Sequence, residues 1–198
     1  LEAAPPSGLA FDLLIPGGVG DEAWLCENKD ASHPLATLRP GQWSDWIIRP
    51  AAAKGQVRDA SMRFKLLSLD SRQGHLRLVR SALYPTSGFT WPEELSEELL
   101  QVVGPYFEHA AVGRPEDPDL WHQVVFEEME YQVDWYAKVA EHLLHTRGWD
   151  LFYSHWHFPD NVFHYWLAPA DPASPVYNPQ RAETAREILR RTCQIADR

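Results

Sequence analysis

Cysteine and methionine are scarce in this chain of 198 residues, at two each. Cys26 and Cys193 are too few and too far apart for a disulfide framework or a zinc knuckle, so both read as ordinary thiols. No apolar run is long enough to span a bilayer, so no membrane segment is expected. Positive charge is in deficit, with 18 Lys and Arg against 28 Asp and Glu and a formal net charge of −10. That balance argues against a nucleic-acid duplex or an anionic membrane as the main partner. There is no internal repeat and no signal peptide, and the chain opens on Leu1 in place of Met, reading as a piece cut at both ends. What is present is enough chain to bury a full core, as one domain or one domain with a small second lobe. The composition fits a soluble protein, with the cytoplasm slightly favoured as its compartment.

Up to about Tyr84 the pattern is mostly that of strands. Leu9, Phe11, Leu13 and Ile15 alternate with other residues, the mark of a half-buried strand, before Pro16-Gly17-Gly18 breaks the run. Residues 23–27 form a second short run, followed by a polar turn at Asn28-Lys29-Asp30, and residues 35–38 a third. Pro40-Gly41 is a turn, and residues 42–48 follow with Trp43 and Trp46. Residues 61–69 and 75–83 are the clearest pair, joined by Asp70-Ser71-Arg72-Gln73-Gly74 in the manner of a hairpin. Short strands on short links imply an antiparallel sheet. Trp43 and Trp46 could stack on a sugar or a base, or pack along the sheet, which is the default. Arg63, Lys65, Arg77 and Arg80 could meet a phosphate, or occupy the wet face of the sheet, again the default.

Beyond residue 89 helices are expected. Thr90-Trp91-Pro92-Glu93 matches a capping box and predicts a helix through Val103, ended by Gly104-Pro105. Glu93, Glu94, Glu97 and Glu98 suit the dipole of its first turns and read as a solvated face. Residues 111–117 form a linker. A long helix is predicted over residues 118–147, with Asp117 as cap, Pro118 at its first position, and Trp121, Val125, Met129, Tyr136, Ala140 and Leu143 as its apolar stripe. His122, His142 and His145 lie on that helix and read as surface or packing residues. Near the end, Asn178 and Pro179 start a last helix whose Ala185, Ile188, Leu189, Thr192 and Ala196 can face a core.

The chemistry concentrates in residues 149–166, W-D-L-F-Y-S-H-W-H-F-P-D-N-V-F-H-Y-W. The apolar and aromatic run over residues 150–158 predicts a buried strand. Pro159 ends it, and Asp160 and His164 follow. If the chain turns helical there, their four-residue spacing puts both on one face. An oxygen donor beside a nitrogen donor at the end of a strand suits a zinc-like divalent ion. Alternatively, Asp160 after Pro159 simply caps the next helix. His155 and His157 are two apart, hence on one face of a strand. They could ligate directly, orient the carboxylate from behind the ligands, or line the sheet's end.

The helix, then W-D-L-F-Y-S-H-W-H, then P-D-x-x-x-H, then D-P-x-S-P-x-Y-N-P leading into another helix, resembles the type I phosphodiesterase and nucleotide pyrophosphatase branch of the alkaline phosphatase superfamily. L-R-P-G-Q-W-S-D-W, M-R-F-K-L-L-S-L and L-R-L-V-R-S-A-L-Y resemble the β-rich insertion that caps the active site in such proteins. The resemblance implies an α/β fold: an alkaline phosphatase-like core fragment with an N-terminal antiparallel β-rich insertion or cap. It divides the chain into a cap lobe over residues 1–89, and a helical connection with a partial catalytic core over residues 90–198.

The resemblance assigns Asp160 and His164 as ligands of one of two catalytic metal ions, zinc or manganese; it assigns no ligand role to His155 and His157, which remain candidates to orient the carboxylate. Family members often carry Gly just before the His, where this chain has Phe163. Asp197 matches a family position and takes a structural role. The loop over residues 171–179 would lie near metal and substrate. The substrate implied is a small phosphorylated molecule. The nucleophile, a Thr or Ser at a helix start, is expected before Leu1, and no Asp-His dipeptide occurs to supply the second metal's ligands. The resemblance therefore covers the central part of a catalytic domain, and the polypeptide alone is expected to lack phosphoesterase activity. The alternatives are a phosphomutase, sulfatase or phosphonate hydrolase of the same superfamily, or a non-catalytic module that binds a glycan or protein through its tryptophans.

Overall fold

A computed structural model describes residues 9–18, 20–53, 56–107 and 117–198. The chain divides into two compact units, Leu1–Gly113 and Arg114–Arg198. Helices and antiparallel strands are both present, so the class is mixed α and β.

The first unit carries eight strands among the described residues, in three antiparallel sheets. β1 (Asp12–Leu14), β2 (Ala23–Cys26) and β3 (Ala36–Leu38) form one sheet in chain order. β4 (Ile47–Ala53) pairs with β5 (Gln56–Met62), whose other edge takes the short β8 (Tyr84–Pro85). β6 (Phe64–Asp70) and β7 (His75–Arg80) form the expected hairpin, with a register shift between Leu66 and Ser68. Alternation sends Ala23, Leu25, Leu38, Ile47, Met62, Phe64 and Leu66 into one shared core.

The expected single strand over residues 61–69 is in fact two. It breaks at Arg63, whose N–H donates to Ser81 Oγ at 3.0 Å while its carbonyl accepts from Ser81 N at 2.9 Å. This crossing point passes the chain from one sheet to the next. Helix α1 (Glu94–Val102) follows β8. It starts later than the capping box implied: Thr90 Oγ1 donates to the Pro92 carbonyl at 2.8 Å, and Glu93 occupies the cap without a side-chain bond. A hydroxyl used as donor to a carbonyl cannot also satisfy the first-turn N–H groups by that bond. At the other end Gly104 takes φ 99°, a left-handed value open to glycine that fits the predicted stop.

The secondary-structure elements of the second unit, among its described residues, are all helices. Asp117 accepts the N–H of Asp119 at 2.9 Å and opens α2 (Pro118–Leu120). A π-helical turn over Trp121–Val125 leads into α3 (Phe126–Thr146). α4 (Phe158–Ala170) and α5 (Pro179–Ala196) follow, with Asn178 capping α5 through Gln180 N at 3.0 Å. Met129 from α3, Val162 and Trp166 from α4, and Ala185, Ile188 and Ile195 from α5 meet in one apolar core. Ile195, not the expected Ala196, is the buried residue at the end of α5. Among the described residues no helix is long and apolar enough to cross a membrane. The linker expected over residues 111–117 lies outside the described residues except for Asp117.

Candidate functional site

The buried strand expected over residues 150–158 is not formed. The described part of the second unit contains no strand, and residues 151–154 make no backbone hydrogen bond among the described residues. Leu151 is 85 % and Tyr153 83 % exposed. A strand exists by ladder pairing, and an apolar β-prone run without a partner edge stays extended and open. Periodicity reports a preference for burial but does not supply the neighbour.

The helix after it does form. α4 begins at Phe158, with Pro159 in its first turn where a missing N–H costs nothing. His157 holds the cap position without a side-chain cap bond, so Asp160 is not the cap that the spacing also allowed. Asp160 lies in the first turn, where a carboxylate is favoured by the helix dipole.

One turn on, His164 Nε2 stands 3.3 Å from Asp160 Oδ2. His157 Nε2 approaches the same oxygen at 3.6 Å. The His155 and His157 rings are 5.5 Å apart, edge to face. Asp160, His157 and His164 are all more than half exposed, so water and incoming ions reach them freely. Two donors each about 2.1 Å from a tetrahedral zinc ion stand about 3.4 Å apart. The Asp160–His164 separation fits that requirement, and carboxylate with imidazole is a donor set that zinc or manganese accepts. Among the described residues no group of three or more His, Cys, Asp or Glu is arranged to hold a metal ion. Asp160 and His164 thus stand as two adjacent donor groups, with His157 beside them.

The other residues weighed from the sequence are dispersed. His122 packs its ring on Phe126 at 5.4 Å, and His145 Nδ1 lies 2.7 Å from the Glu141 carbonyl oxygen. Arg63 lays its guanidinium over Trp43, Trp46 and Phe107 at 4.5, 5.0 and 4.4 Å. Trp43 and Trp46 are thus packed against the first unit, in keeping with their default reading. Lys65 is 2 % exposed, not on a wet face, because its strand position points into the unit beside Trp43. Arg80 is partly buried, which pushes its pKa down, and its Nη1 donates to the Ser81 carbonyl at 2.9 Å.

Sequence reasoning missed one arrangement near the site. Gln132 of α3, buried in the second unit, accepts a hydrogen bond from Trp156 Nε1 at 2.8 Å. The available signal was a glutamine three residues past Met129, on the flank of the apolar stripe. No family model, no curated protein and no solved structure matches this chain.

Proposed function

We propose that the chain is part of a metal-dependent phosphohydrolase of the phosphodiesterase and nucleotide pyrophosphatase type, in which Asp160 and His164 hold one divalent ion of a two-metal site. In this reading residues 90–198 are a helical connection and part of an alkaline phosphatase-like core, and the β-rich stretch over residues 1–89 is its cap. The observation that carries the proposal is the 3.3 Å approach of Asp160 Oδ2 to His164 Nε2 on one exposed face of α4. It comes together with the order of motifs around that helix: the aromatic run before it, and the turn-rich loop that leads into α5.

The roles follow from the side chains. Asp160 supplies negative charge and an oxygen donor, and His164 a neutral nitrogen donor. α4 holds both at fixed separation, so little ordering is needed when an ion arrives. A zinc or manganese ion bound there would polarise a phosphoryl oxygen of a small phosphorylated substrate. Coordination positions not filled by Asp160 and His164 would be open to substrate oxygens, water and a further ligand. The packing of Arg63 over Trp43 and Trp46 leaves less ring face for a sugar, which weighs against the glycan-binding alternative.

Calorimetric titration with zinc and with manganese tests the proposal. Asp160→Ala and His164→Ala are each expected to weaken binding by about tenfold or more. Unchanged affinity in both variants would overturn it.

A further inference from the structure

The core-facing side of α3 carries two polar side chains where packing alone asks for apolar ones. Glu128 and Gln132 are each 2 % exposed. Buried polar groups are costly unless their hydrogen bonds are made, and a fully connected set fixes one arrangement of the parts it joins. Gln132 Nε2 donates to Glu128 Oε1 at 3.3 Å, one turn back on the same helix. Gln132 Oε1 accepts from Trp156 Nε1 at 2.8 Å, across a separation of 24 residues. That bond ties α3 to the segment entering α4. The Trp156 ring also packs on the helical core, 6.4 Å from Phe158. The neighbour of Trp156 in the chain is His157, whose Nε2 lies 3.6 Å from Asp160 Oδ2.

We infer that Gln132 is a positioning residue for the Asp160–His164 site: by anchoring Trp156 it holds His157 against the Asp160 carboxylate. The inference rests on the metal-binding reading above and adds a residue to it. Gln132 touches neither ligand. It acts through a buried bond to an indole and through the imidazole next to that indole. The residues just upstream, 151–154, have no backbone bond among the described residues; the His157 carbonyl accepts from Asn161 N at 3.3 Å, and the Trp156 anchor adds a second restraint one residue before it. Groups that orient a ligating side chain commonly change metal affinity by about 10–100-fold.

The test uses cobalt(II) alone, titrated into the whole chain and followed by absorption and calorimetry. The variants are Trp156→Phe, Gln132→Met, His157→Ala and the double variant Trp156→Phe/His157→Ala. The first two break the same bond from opposite sides, so one carries the test if the other loses the fold. His157→Ala is expected to weaken cobalt binding by about tenfold, and the anchor variants by several-fold. Adding Trp156→Phe to His157→Ala should cost nothing more, because the two act on one link. Wild-type affinity in both anchor variants, or full additivity in the double variant, would overturn the positioning role. Absence of cobalt binding by the wild-type chain would instead remove the Asp160–His164 reading, and the positioning role with it.

Discussion

Asp160 Oδ2 and His164 Nε2 face each other at 3.3 Å across one turn of α4, with both side chains largely in water. Exposed helix pairs at this spacing contribute about 0.3–0.5 kcal/mol. Asp160→Ala and His164→Ala should therefore change the unfolding free energy by no more than about 0.5 kcal/mol in urea denaturation. A loss above about 2 kcal/mol would show that the pair holds the fold together and is not a spare surface grip.

The second unit depends on its apolar centre. Ile188 of α5 is fully buried among Met129, Val162 and Trp166. Ile188→Ala removes buried methyl and methylene groups and leaves a cavity, at an expected cost of about 2–5 kcal/mol. Denaturation of the variant measures this directly, and a cost under about 1 kcal/mol would contradict the packing described.

Two helix starts that look alike in sequence should respond differently. Asn178 Oδ1 accepts Gln180 N at 3.0 Å, so Asn178→Ala should cost about 1 kcal/mol. Thr90 makes no bond to a first-turn N–H of α1, and its hydroxyl donates to Pro92 O instead. Thr90→Ala should stay within about 0.5 kcal/mol of wild type. Equal costs at the two positions would place a working cap at Thr90.

The two thiols should differ as well. Cys193 is exposed, whereas Cys26 is buried in β2 with Sγ 3.8 Å from the Trp24 carbonyl oxygen. Burial first, then the nearby Asp30 and Asp12 charges, push the Cys26 thiol up. A maleimide should label Cys193 in the folded chain and reach Cys26 only on unfolding, as peptide mapping would show. A raised folded pKa means that the contribution to stability is whole below the ordinary thiol value of about 8.5 and is lost as pH rises through the folded value. Alkaline destabilisation should therefore be smaller in Cys26→Ala than in wild type.

Most of the local structure was legible. Turn residues and alternation located β1, β2, β3 and the β6–β7 hairpin, and Asp117 and Asn178 marked helix starts that form their side-chain bonds. The β4–β5 pairing was not legible, because Pro50 and the alanines from Ala51 to Ala53 carry little β signature, yet they pair residue by residue with β5. The break at Arg63 depends on Ser81, 18 residues away, which no local window contains. For the site, the spacing of Asp160 and His164 is a local helical property and was readable. The strand over residues 150–158 was misread because burial requires a partner, and Gln132 was missed because its partner Trp156 lies 24 residues on.

The most direct measurement is a zinc titration followed by nitrogen NMR of the histidine side chains. The account predicts that the His164 Nε2 signal moves with saturation as zinc is added, and that Asp160→Ala strongly reduces the response at equal zinc. A His164 signal that stays in place while other histidines respond, or a response untouched by Asp160→Ala, would contradict it.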